Sequence, residues 1–175
     1  TGMTAEEAFR GILRTRNFLR SGGVTLSGGE PLLQHEFCAE LLRLCRREGI
    51  HTAIDTAGSV PLSVCQPAVD LSDMLLLDIK SIDSALCRRI TGQGNQNALC
   101  LLDHCEGQGK PVWIRHVVVP GLTLDDAQLK ALASHLQNYS CVARVELLPF
   151  HKLGEYKWEQ LGRHYTLGGT REPTA

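Results

Sequence analysis

Short apolar runs of strand length alternate with longer amphipathic runs along nearly the whole chain, and nothing else constrains its fold as strongly. Strand-like runs rich in Val, Ile, Leu and Thr lie at 24–27, 51–55, 74–79, 112–119 and 143–148. Ahead of them, Thr4-Ala5-Glu6-Glu7 reads as a capping box, opening a helix with Ala5, Ala8, Phe9, Ile12 and Leu13 on one stripe. A second helix is predicted over about 35–48, with Phe37, Cys38, Leu41, Leu42, Leu44 and Cys45 on its buried side and Gly49 as its stop. A short helix in the sixties, helical segments near 83–91 and 96–108, and a helix near 125–137 complete the pattern. Strands separated by helices imply parallel pairing, and runs that are apolar on both faces suit a sheet covered by helices. A doubly wound sheet and a full or partial βα barrel are the alternatives. A single domain over 1–175 is expected, with a Thr/Pro/Gly-rich tail from about 168. In either architecture the functional groups belong at the carboxyl ends of the strands.

Polar residues do gather at those ends. GGVTLSGGEP (22–31) carries a strand into two adjacent glycines and an acid. Gly28 and Gly29 have no Cβ, so a ligand can lie against the backbone there, and Glu30 offers a carboxylate to an ammonium group. Neither a dinucleotide fingerprint nor a phosphate-binding loop is present, and a glycine turn followed by an acid suits a cationic group better than a phosphate. The second strand ends in Asp55-Thr56-Ala57-Gly58. In MLLLDIK, alternation puts Met74, Leu76, Asp78 and Lys80 on one face. VWIRHVVVPG places Arg115 among apolar neighbours, where a buried charge needs a partner. VELLPFH aligns Val145, Leu147, Pro149 and His151, leaving His151 at the rim.

Composition narrows the function classes. Charge is nearly balanced, with 18 basic and 19 acidic residues, which gives no field for broad nucleic-acid binding. No run approaches the roughly 20 apolar residues of a membrane span, and no secretory signal opens the sequence. Seven cysteines are present without any C-x-x-C. An odd, scattered set reads as reduced thiols of a cytoplasmic protein, most of them small core hydrophobes.

Taken together, GGVTLSGGEP, EGIHTAIDTAG, DMLLLDIK, VWIRHVVVPG and VELLPFHKLGEYKW resemble the radical SAM activating enzymes of glycyl radical enzymes, above all those acting on pyruvate formate-lyase. The resemblance implies a partial (βα) barrel of the radical SAM type. It implies an S-adenosylmethionine site formed by Ser27, Gly28, Gly29, Glu30, Asp78, Ile79, Lys80, Arg115 and His151. Asp55 and Asp78, ending neighbouring strands, are further expected to be able to hold a cation by hard oxygen ligation. In this family a [4Fe–4S] cluster donates an electron to the bound S-adenosylmethionine. The 5′-deoxyadenosyl radical so formed takes a hydrogen from a glycine of the partner enzyme. The implied partners are a glycyl radical enzyme such as pyruvate formate-lyase and a small electron-donor protein, with neither nucleic acid nor membrane.

The sequence departs from the family where the cluster is held. No C-x-x-x-C-x-x-C occurs, and the strand that precedes that motif has no counterpart. Ala57 stands where relatives often carry asparagine. The expectation is therefore of the central and C-terminal part of a longer activase, with a barrel incomplete at the N-terminus and at the C-terminus, and inactive by itself. The alternatives are a natural short protein that keeps a partner-docking face without the chemistry, and a cluster-free βα enzyme using Asp78 and Lys80 for acid–base work.

Overall fold

The computed structural model describes residues 2–18 and 22–173. Helix α1 (Ala5–Arg14) is followed by β1 (Gly23–Leu26), α2 (His35–Arg47), β2 (His51–Thr56), α3 (Leu62–Leu71) and β3 (Met74–Asp78). Then come α4 (Ser84–Thr91), α5 (Gln96–Gln108), β4 (Val112–Val118), α6 (Asp126–Leu136), β5 (Val142–Pro149) and α7 (Glu155–Gln160). The predicted elements are all found, within a residue or two at their ends. Helix α7 and the 3₁₀ turns at Arg16–Phe18 and Pro31–Gln34 are additions.

Local chemistry sets the helix limits. The capping box at Thr4 is complete: the Glu7 amide donates to Thr4 Oγ1 at 3.2 Å and the Thr4 amide donates to Glu7 Oε2 at 2.9 Å. Asp83 caps α4 by accepting from the amides of Ala85 and Leu86, and Asp125 caps α6 in the same way through Ala127 and Gln128. Gly92 and Gly109 close α4 and α5 in the left-handed region, which costs a side-chain-free residue little.

The five strands pair in parallel in the order β1-β2-β3-β4-β5, so each lies beside its neighbours in sequence. β1 and β5 are the edges, and the sheet is not closed. Leu26, Ile54, Leu75, Leu77, Val112 and Ile114 point to one face, where they join Leu42, Cys45, Val69, Leu101, Leu102 and Leu132 of the helices in one apolar cluster. Burying a side chain of that size contributes about 1.5–3 kcal/mol, so this face fastens the helix layer to the sheet. The other face carries Met74, Leu76, Asp78, Trp113, Arg115 and Val117, all only partly buried. Helices on one face of an open parallel sheet make a partial (βα) barrel, and the doubly wound alternative drops out.

Six of the seven cysteines are buried and all seven are free thiols. Beyond β5 the tail folds back: the Lys152 amide donates to Glu172 Oε1 at 2.9 Å, its ammonium reaches the Gly168 carbonyl, and Tyr165 packs on Trp158 with ring centroids 5.8 Å apart. The last two residues of the expected tail, 174–175, lie outside the described residues. No helix among the described residues is long and apolar enough to cross a membrane.

Candidate functional site

The carboxyl ends of four adjacent strands carry a continuous run of charged and hydroxyl groups. Parallel register puts Asp78 directly opposite Arg115, and partnered side chains in a parallel pair point to the same face. Arg115 Nε donates to Asp78 Oδ1 at 2.8 Å, while its terminal nitrogens reach both oxygens of Asp55, one of them at 3.3 Å. Lys80 Nζ donates to the other Asp78 oxygen at 2.8 Å, and Ser27 Oγ donates to Asp55 Oδ2 at 3.0 Å. The chain of contacts therefore runs Ser27–Asp55–Arg115–Asp78–Lys80. Two carboxylates and two cations balance, so the network itself holds dense charge with no net charge. Burial opposes the charge on Arg115, but the charges and hydrogen bonds of Asp78 and then Asp55 outweigh it and raise its pKa.

The isolated charge in an apolar strand thus has its partners. The expectation that Asp55 and Asp78 hold a cation takes a different form: they do converge, but on the guanidinium of Arg115. Among the described residues no group of three or more His, Cys, Asp or Glu side chains could hold a metal ion. No described set of thiolates fits a [4Fe–4S] cluster.

Beside this network, Gly28 and Gly29 adopt successive positive φ angles of 102° and 56°. A Cβ at either would meet nothing within 4 Å. Glycine is needed here for the backbone path, and the space in front of it is open to a ligand. A recess of about 120 Å³ adjoins on the other side, lined by Gly58, Asp78, Ile79, Lys80 and Asn95 among others.

Three expected site residues sit differently from the rest. Glu30 is close to the network, yet its carboxylate is taken up inside the protein. Oε1 accepts from the Leu32 amide and Thr56 Oγ1 at 3.2 and 2.7 Å, and Oε2 from the Ala57 amide and Ser59 Oγ at 3.0 and 3.4 Å. Ile79 is buried; its amide donates to the Arg115 carbonyl and its own carbonyl meets His116 Nδ1 at 2.6 Å. His151 lies exposed two residues past β5 and takes part in no hydrogen bond among the described residues. Val145, Leu147 and Pro149, which it was expected to align with, pair with Ile114, His116 and Val118, so they belong to the face opposite Arg115. Thr56 and Ser59 are the residues that sequence reasoning passed over; their proximity to Glu30 depends on β1–β2 pairing rather than on any local motif.

Similarity to known proteins agrees with this architecture. The model of the radical SAM superfamily matches residues 1–133. The pyruvate formate-lyase-activating enzyme of Streptococcus mutans is 40% identical over 99% of this chain and 69% of its own length. That of Clostridium pasteurianum is 44% identical over 94% of this chain and 70% of its own length. The crystal structure of a domain of pyruvate-formate lyase-activating enzyme from Bacteroides vulgatus superposes with a TM-score of 0.70 at 27% identity, covering 88% of this chain and 86% of that one. An open parallel sheet with helices on one face, an ion network and a double glycine at its carboxyl edge, and identities of this size agree: the chain belongs to the radical SAM superfamily, on the branch of the pyruvate formate-lyase-activating enzymes.

Proposed function

We propose that the carboxyl edge of β1–β4 is the S-adenosylmethionine site of an activase for a glycyl radical enzyme, pyruvate formate-lyase by the names of its relatives. The observation that carries this reading is the neutral Asp55–Arg115–Asp78–Lys80 network set against the open Gly28–Gly29 backbone. A zwitterionic ligand finds both signs of charge there. Its amino end meets the carbonyls around Gly28 and Gly29 and the outer oxygens of Asp55, while its carboxylate meets the N–H groups that Lys80 and Arg115 still have free. His151, at the far edge of a sheet whose five strands span about 19 Å, serves the other end of a long ligand. Bound S-adenosylmethionine supplies the carbon–sulfur bond that the family's chemistry breaks. The protein's own residues bind and orient it.

Isothermal titration with S-adenosylmethionine tests the site. Saturable binding is expected, and Lys80→Ala weakens it about tenfold, the scale of one lost charge-assisted contact. A wild-type chain that binds no S-adenosylmethionine ends the proposal. With no described thiolate set for a cluster, the chain alone is expected to release no 5′-deoxyadenosine after iron–sulfur reconstitution with a small electron donor; its detection would overturn that part. The glycyl radical enzyme partner is tested by co-sedimentation with pyruvate formate-lyase.

A further inference from the structure

We infer that Glu30 is a positioning residue and not a ligand contact, and that buried Thr56 is its essential partner in holding the Gly28–Gly29 loop ready for ligand. The inference rests on the binding reading above and deepens it. An ionised carboxylate offers about four lone-pair directions. All four are used here: the Leu32 amide and the Thr56 hydroxyl at Oε1, the Ala57 amide and the Ser59 hydroxyl at Oε2. No acceptor capacity remains for an ammonium group. The four donors come from both sides of a strand boundary, Leu32 from the turn after β1, Thr56 from the last position of β2, and Ala57 and Ser59 from the turn that follows it.

Thr56 completes the arrangement. It is 2% exposed, donates its hydroxyl proton to Glu30 and accepts the Gly58 amide at 2.9 Å. Gly58 in turn has φ of +63°, and a Cβ there would stand 2.7 Å from the Ala98 Cα. The β2 turn is therefore wrapped around the Glu30 carboxylate and packed against α5, and the β1 turn is fixed to it. Glycines in open space with positive φ have no side chains to hold them. Their order comes from Glu30 at one end and the strand at the other.

The chemistry distinguishes glutamate from glutamine sharply. Each carboxylate oxygen faces one backbone N–H, and a backbone N–H cannot become an acceptor. In Glu30→Gln the amide NH₂ must oppose the Leu32 or the Ala57 amide whichever way it is turned. Thr56→Val removes one hydroxyl without touching the open face, and Thr56→Ser restores it.

Amide hydrogen exchange on the ligand-free protein and titration with two ligands decide the matter. In both Glu30→Gln and Thr56→Val, the Leu32 and Ala57 amides are expected to exchange about tenfold faster, with Thr56→Ser close to wild type. Both variants should weaken S-adenosylmethionine binding about tenfold and leave 5′-methylthioadenosine, which lacks the amino-acid end, unchanged; the double variant should be no worse than the weaker single one. Unchanged ligand-free exchange, or Thr56→Val binding S-adenosylmethionine as wild type while Glu30→Gln does not, would return Glu30 to direct contact and overturn the inference. Equal weakening of both ligands would reduce the pair to general stability and overturn it as well. If the wild type binds neither ligand, the binding reading fails, and the exchange rates still judge whether Glu30 and Thr56 hold the two turns together.

Discussion

Arg115 joins two acidic strand ends, and its removal should be felt in folding as well as in binding. Arg115→Met leaves Asp55 and Asp78 facing each other without the cation that bridges them, with Lys80 still on the outer oxygen of Asp78. Breaking a fully buried pair from one side costs about 3–5 kcal/mol; with roughly a fifth of each of these side chains exposed, we expect about 2 kcal/mol after allowing for solvent screening. Arg115→Lys should recover only part of this, since one ammonium cannot bridge both carboxylates as the planar guanidinium does. Urea unfolding of the three proteins gives the answer, and a methionine variant as stable as wild type would refute the bridging role. Arg115 was legible in the sequence because a charge in an apolar strand demands a partner. The use made of Glu30 was not: its partners Thr56, Ala57 and Ser59 become neighbours only when β1 pairs with β2.

Among the elements, α5 is fastened to the entry of β5 by two acids, Asp103 through the Tyr139 hydroxyl at 2.7 Å and Glu106. Glu106 accepts from Ser140 Oγ at 2.7 Å and from the Cys141 amide at 2.8 Å. First the Ser140 hydroxyl and then the Cys141 amide pull its pKa from 4.5 down to about 2. A carboxyl depressed on folding adds stability above its unfolded value and loses it as pH falls through the folded one. Wild type should therefore lose stability relative to Glu106→Gln between about pH 4.5 and pH 2. Parallel denaturation curves at pH 6 and pH 3 measure this, and an unchanged difference between the two proteins would exclude the contribution. Element limits were readable because capping acids and terminal glycines act locally. Helix α7 escaped because EYKWEQ is six residues with no buried side chain. The covered face of the sheet escaped for another reason: Met74, Leu76, Trp113 and Val117 are as apolar as the core positions, although they line the half-open side.

Across the whole molecule, thiol chemistry reports how the helix layer seals its face of the sheet. Burial pushes Cys38 and Cys65 up to about 11 and Cys105 and Cys141 up to about 12, and Cys100 alone is exposed. The native protein should react rapidly with one equivalent of a disulfide reagent such as DTNB and with all seven thiols in guanidinium. Two or more fast thiols in the native state would mean that the layer opens. The sequence pattern carried the parallel barrel and the site's strand ends, while the tail's return onto Lys152 depended on contacts with no periodic signature. The strand order has a last consequence, one of timing. Thr25 meets Ala53, Leu77 meets Ile114 and Arg115 meets Glu146, so every strand pairs only with its immediate neighbours in the sequence, the two edge strands with one each. Contacts of this kind close modest loops, and a chain leaving the ribosome folds from its N-terminal end. Each βα unit can dock on a surface already made, and no strand of the sheet waits for one later than its immediate successor.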